Sequence, residues 1–269
     1  MKRWLCPLLG VAMVALLASC LEESTVIKVS KDGSGVVQVR HFFRTLTTEE
    51  QVELPAEAEL AAKAARMGEG VRLEAVRKSH NARGWFGHEE IYRFSDINQL
   101  VIRMKDDPDS KEKSEPADRP EMHFQLKDGV LEARVDNPAW SELAKVSPKT
   151  ETGPTLDPYV DAPGPPAKAV RLRPAGMKIG GDAWKEVTDG MRIGVFLQFD
   201  DPLVEAASRY RKGGLHTLVN VDFERVSRNP DIESLQQLHA GTREEMREVV
   251  RQVDGFEIDL QQPIRFVFE

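Results

Sequence analysis

Apolar and polar residues alternate with a period of two through much of the chain beyond residue 25, the pattern of strands with one buried face. Val26-Ile27-Lys28-Val29 reads as a short strand and Lys31-Asp32-Gly33-Ser34-Gly35 as a turn; Val37, Val39, His41 and Phe43 then alternate with more polar neighbours, which makes the segment a β-hairpin. Val71, Leu73 and Ala75 predict one face of another strand. A loop over residues 81–88 then leads into a strand around Ile91 to Phe94. Leu126 and Leu131 flank Lys127-Asp128-Gly129, a hairpin turn. Met191, Ile193, Val195, Leu197 and Phe199 line one face of a later strand. Leu215, Thr217, Val219, Val221 and Phe223 line the next, with His216, Asn220, Asp222 and Glu224 outward. Phe256, Ile258 and Leu260, then Ile264, Phe266 and Phe268, predict two last strands.

Helical spacing appears in fewer places. Thr47 and Glu50 have the spacing of a capping box, and a helix is expected over residues 56–67, stopped by Gly68 and Gly70. Asn229-Pro230 reads as the start of another helix, lined by Ile232, Leu235 and Leu238. Thr242 and Glu245 form a second capping box, and Met246, Val249, Val250 and Val253 give the stripe of a helix resting on a sheet. The expected fold is therefore α+β: one or two mainly antiparallel sheets, with helices 56–67 and 242–253 packed on one face.

Two stretches carry no such period. Residues 106–120 are charged and proline-containing and read as an exposed loop. Residues 147–169 hold six prolines, which marks them as a linker or long loop. The organisation expected is a signal segment over 1–19, an N-terminal part of the domain over 20–146, that linker, and a C-terminal part over 170–269.

The start of the chain has a different chemistry. Lys2 and Arg3 precede an apolar run from Trp4 to Ala18, which is short for a membrane span of roughly 20 residues and fits the hydrophobic region of a secretory signal. The run ends Leu17-Ala18-Ser19-Cys20, an aliphatic residue, two small residues and a cysteine. This resembles the lipobox of bacterial lipoproteins. The resemblance implies that Cys20 is acylated and becomes the first residue of the mature chain. An ordinary cleaved signal and an uncleaved anchor are the alternatives. Leu21, not aspartate, follows Cys20, which in enteric-type sorting favours the outer membrane where the organism has one. Leu21 to Thr25 reads as a very short tether, so the domain should sit close to the bilayer.

Cysteine count and charge narrow the class. The two cysteines are Cys6 and Cys20, so the mature chain would hold one, and its fold must rest on its core without a disulfide. The formal charge is −7, and removing Lys2 and Arg3 leaves about −9. An acidic domain without basic clusters excludes nucleic acid as a partner. The expected partners are the membrane, through the lipid at Cys20, and an envelope protein or a lipid ligand. No cofactor is expected.

Few residues stand out as candidate sites. Trp85 and Phe86, between Gly84 and Gly87, could contact a partner or the membrane, although folding back onto the domain is the favoured reading. His80 and His88, beside Glu89 and Glu90, match no standard zinc spacing and read as solvated loop histidines, so no metal site is expected. His41, His123, His216 and His239 show no pairing. Asp200-Asp201, before Pro202, reads as acidic turn residues in preference to an acid–base pair. No G-x-S-x-G elbow, H-E-x-x-H, Walker loop or G-x-G-x-x-G after a strand is present.

The lipobox cysteine, the strand and glycine turn from Val29 to Gly35, the segment from Met67 to Leu73, Leu218-Val219-Asn220-Val221-Asp222-Phe223, and Gly255-Phe256-Glu257-Ile258 after a helix resemble uncharacterised bacterial lipoproteins of the LppM-like kind. The resemblance implies an extracytoplasmic α+β domain and carries over no catalytic residue. The expected function is a membrane-anchored envelope lipoprotein acting as a non-enzymatic binding or assembly module. A carrier of an apolar ligand is the alternative, and an enzyme ranks third. An apolar concavity of several hundred Å3 would favour the carrier, a filled core with an exposed apolar patch the binding module, and a cleft with converging histidines and carboxylates the enzyme.

Overall fold

The computed structural model describes residues 21–103, 121–136, 190–228, 253–258 and 263–269. Cys20 with its signal segment, the linker at 147–169, the helix expected from Asn229 and all but the last residue of the helix expected over 242–253 lie outside the described residues.

The elements run β1 (Leu21–Val29), β2 (Gly35–Phe43), α1 (Glu57–Met67), β3 (Arg72–His80), β4 (Phe86–Phe94), β5 (Val101–Arg103), β6 (Glu121–Lys127), β7 (Val130–Asp136), β8 (Arg192–Phe199), β9 (Leu203–Ala206), β10 (Tyr210–Lys212), β11 (Leu215–Asp222), α2 (Phe223–Ser227), β12 (Phe256–Ile258) and β13 (Ile264–Phe268). Eight strands make the larger sheet, in the order β10-β11-β8-β1-β2-β4-β3, with β12 also paired to β11. Five make the smaller, β5-β6-β7-β13-β9. The β1–β8 pair is parallel; the other pairings described are antiparallel. Strands from either side of residues 147–169 pair in both sheets, β1 with β8 and β7 with β13.

Alternation in the sequence explains why the sheets stack. Ile27, Val37, Tyr92 and Leu197 project from one sheet, and Met122, Leu131, Ile264 and Phe266 from the other, into one apolar core. Each such side chain contributes roughly 1.5–3 kcal/mol by leaving water. The ring of Phe199 lies 4.9 Å from that of Phe266 and 5.5 Å from that of Phe268, joining the sheets at one end. The β6–β7 turn is Asp128-Gly129, at φ 52° and 75°, the left-handed pair that a two-residue hairpin requires.

The α+β expectation is corrected to a mainly β fold. Helix α1 buries only Leu60, Ala64 and Met67, a narrow i, i+4, i+7 stripe that covers one end of the sandwich. The inner face of the larger sheet is covered by the second sheet instead. Other expectations shift in detail. The tether from Leu21 to Thr25 is the first half of β1. The capping interaction at the 3-10 turn Glu49–Gln51 uses Gln51, whose Oε1 accepts from the backbone N–H groups of Thr47 and Thr48, at 2.8 and 3.1 Å. A bulge between Leu73 and Ala75 places Val76, not Ala75, on the inner face opposite Glu90. A second bulge between Thr217 and Val219 turns His216 inward, opposite Leu197, with its ring 5.2 Å from that of Phe266. One extra residue reverses every side chain beyond it.

Candidate functional site

Three neighbouring strands bring polar residues onto the apolar inner face. Glu23 of β1 lies opposite His41 of β2, and His41 lies opposite His88 of β4. Glu90 is two residues beyond His88 and so on the same face. Gly87 permits this close approach, because a Cβ there would sit 1.8 Å from the carbonyl oxygen of His41. Helix α1 lies over this end of the sheet and lowers Lys63 onto Glu90.

Glu90 is the centre of the cluster. Its side chain is 3% exposed. Oε2 accepts from Lys63 Nζ at 2.6 Å and from the Tyr92 hydroxyl at 2.9 Å. Oε1 is thereby turned towards the histidines, 3.2 Å from His88 Nε2 and 3.6 Å from His41 Nε2. On its other side His41 presents Nδ1 to Glu23, 3.8 Å away. The two rings lie 5.0 Å apart, centroid to centroid. Nδ1 of His88 is enclosed and has no hydrogen-bond partner.

The electrostatics follow from burial and from Lys63. Burial pushes the His41 imidazolium out, the Lys63 ammonium adds to this, and the pKa falls to about 4 despite Glu90. Burial works against the Glu90 carboxylate, but the His88 hydrogen bond and the Lys63 charge outweigh it and hold the group down at about 2. Burial raises the Glu23 carboxyl, with Lys63 opposing. Tyr92 is raised, first by burial and then by the adjacent Glu90 carboxylate. At neutral pH the site thus holds an ionised Glu90 beside a neutral His41 whose lone pair is free to accept or ligate.

A cleft of about 210 Å3 opens over this end, lined by Glu23, Thr25, His41, Lys63, Arg66 and Arg103 together with Val39, Met67, Val101, Ile102 and Ile193. It is a mixed polar and apolar mouth above a filled apolar interior. One ligand atom from each of His41, His88 and Glu90 lies within 4.8 Å of the others, a set able to hold a metal ion.

This overturns the reading of His88 as a solvated loop histidine. Strand β4 starts at Phe86, so His88 is a buried strand residue, 8% exposed, paired with His41. His80 is placed apart, exposed at the end of β3 against the Phe86 ring. Glu89 points to the opposite face, where Arg40, Arg77 and Gln38 bind it. Trp85 is half-buried, with the Arg83 guanidinium 5.2 Å from its ring and Gly190 pressed against it. Phe86 is half-buried at the start of β4. Asp200 and Asp201 secure the β1–β2 turn: Asp200 accepts from the Ser30 hydroxyl and Asp201 from the Lys31 backbone N–H. Sequence reasoning missed Glu23 and Lys63 as site residues. The available signal was His41 itself, a polar residue on an otherwise apolar strand face.

No protein-family model matches the chain, and no curated protein matches it in sequence. Among solved structures, the chain is a weak structural neighbour of the folded domain of Mycobacterium tuberculosis LppM, determined by NMR. The two are 9% identical, with a TM-score of 0.33 over 74% of this chain and 80% of that one. No helix among the described residues is long and apolar enough to cross a membrane.

Proposed function

We propose that this chain is an envelope lipoprotein, acylated at Cys20, whose β-sandwich binds a small polar ligand at the mouth between its sheets. The observation that carries this reading is a cleft lined by Glu23, His41 and Lys63, with His88 and Glu90 buried directly beside them, above an apolar core that is otherwise filled. Polar groups on an apolar face cost stability, most of all the buried His88 and Glu90, and a fold that gathers Glu23, His41 and Lys63 beside them favours a site over a core. The cleft, about 210 Å3, is below the range of roughly 300–1,000 Å3 that holds a drug-sized or acyl ligand. The apolar-carrier reading therefore has less support than a small-ligand site, and the converging histidines and carboxylates make an enzyme acting on such a ligand the second reading.

The address rests on Leu17-Ala18-Ser19-Cys20. Strand β1 starts at Leu21, the next residue, so acylation would hold the sandwich end-on to the bilayer. Leu21, Phe43 and Phe86, paired across three strands, would then form the row nearest the lipid, with Glu23 and His41 one step above. Where the cell has an outer membrane, Leu21 after the cysteine favours sorting to it.

Expression of the full-length chain in bacteria with radiolabelled palmitate tests the address. The wild type should carry label and sediment with membranes; Cys20→Ala should lose the label and become soluble. Label or membrane attachment retained by Cys20→Ala would overturn it. Mass analysis of what co-purifies from native membranes tests the ligand class. A stoichiometric lipid would overturn the small-polar-ligand reading.

A further inference from the structure

We propose that His41, His88 and Glu90 form a site for one divalent transition-metal ion of the zinc class. The proposal rests on reading the mouth as a ligand site, but not on acylation of Cys20.

The geometry is the first argument. Zinc binds imidazole nitrogen and carboxylate oxygen at about 2.0–2.2 Å, which sets adjacent ligand atoms in a tetrahedron about 3.3 Å apart. Glu90 Oε1 lies 3.2 Å from His88 Nε2 and 3.6 Å from His41 Nε2. All three groups converge within 4.8 Å, so a small rotation of the rings closes the set. Two histidines and one carboxylate leave a fourth position for water or a ligand, and His41 sets the group at the edge of the cleft.

Orientation is the second. Glu90 does not present its oxygens at random: Lys63 and Tyr92 both bind Oε2, leaving Oε1 towards the histidines. Behind His41, Glu23 faces Nδ1, the arrangement of a carboxylate that orients a ligating imidazole. His88, 8% exposed, is held with Nε2 towards the same Glu90 Oε1, at 3.2 Å.

Lys63 is the opposing term. Its ammonium would lie on the far side of Glu90 from the ion and repel it. The Lys63 side chain is 21% exposed, on a long stem that can swing towards solvent. Removing its charge should therefore tighten binding, whereas loss of a purely structural ion pair would improve nothing.

The test is titration of the full-length chain in detergent with zinc, read by calorimetry, and with cobalt, read by its visible absorption bands. One ion per chain is expected. His41→Ala and His88→Ala should each weaken binding at least 100-fold and Glu23→Gln about tenfold, while His80→Ala and His123→Ala leave it unchanged. Lys63→Met should tighten it several-fold. Because a substitution at buried His88 can unfold the sheet, circular dichroism accompanies each titration, and Lys63→Met keeps the site itself intact. Absence of one-to-one binding, binding unchanged in a folded His41→Ala, or no gain in Lys63→Met would each overturn the proposal. Palmitate labelling at Cys20 is read separately, so failure here leaves the membrane address standing.

Discussion

His41 faces His88 across the β2–β4 pair, with ring centroids 5.0 Å apart and Glu90 within reach of both. His41 is tolerated at this depth because burial and the Lys63 charge keep it neutral, and both rings lie beside a carboxylate tied to Lys63.

Acid should loosen the metal-free protein in two stages. The His41 pKa is about 4 in the fold against 6.5 for the free group, so between these values the unfolded chain binds more protons. Stability therefore falls as pH drops from 6.5 to 4. Glu90 is held near 2 against 4.5, so its contribution is complete above 4.5 and is lost between 4.5 and 2. Urea midpoints across this range should show both limbs, and His41→Gln should flatten the upper one. A midpoint independent of pH down to 4 would contradict the assignment.

Replacing Glu90 by alanine leaves Lys63 and Tyr92 without their shared acceptor. Discounted for the partial exposure of Lys63, the loss should be about 2 kcal/mol. Adding Lys63→Met should recover part of it, because the stranded charge is then gone. Chemical denaturation of the single and double variants measures both. Equal stability of Glu90→Ala and wild type would show that the cluster does not support the fold.

Glycines at two positions should respond differently. A Cβ at Gly87 would meet the His41 carbonyl at 1.8 Å, so Gly87→Ala must push β2 and β4 apart, at a cost of about 3 kcal/mol or more. Gly84 has φ 76° with open space around it, so Gly84→Ala should cost only about 1 kcal/mol of backbone strain. Thermal unfolding separates them, and an equal shift in Tm would contradict the tight β2–β4 approach.

Trp85 should behave as part of the fold. It is half-buried beneath Arg83 and against Gly190. Trp85→Ala should lower the denaturant midpoint, by about 1–2 kcal/mol for a half-buried aromatic. An unchanged midpoint would return Trp85 to the surface as a free contact residue.

Much of this was legible in the chain. Period-two alternation located β1, β2, β8 and β13, and Asp128-Gly129 announced its hairpin. What was not legible has a physical reason in each case. The bulges at Glu74 and Leu218 leave no mark in composition, yet they reverse the strand face and carry His216 inward. The helix over 56–67 was visible, but the second sheet facing the first depends on pairings between β7 and β13, over a hundred residues apart, that no local pattern encodes. His41 and His88 are 47 positions apart and meet only through the register of β2 on β4. The spacing that matched no zinc pattern was that of His80 and His88; the partner of His88 is His41, supplied by strand register and not by sequence interval.

The most direct measurement is the imidazole NMR spectrum of the histidines during titration with zinc. The account predicts that His41 and His88 shift together and saturate at one equivalent, while His80, His123 and His216 stay in place. Signals from His41 and His88 that do not move, or that move no more than those of exposed His80, would contradict it.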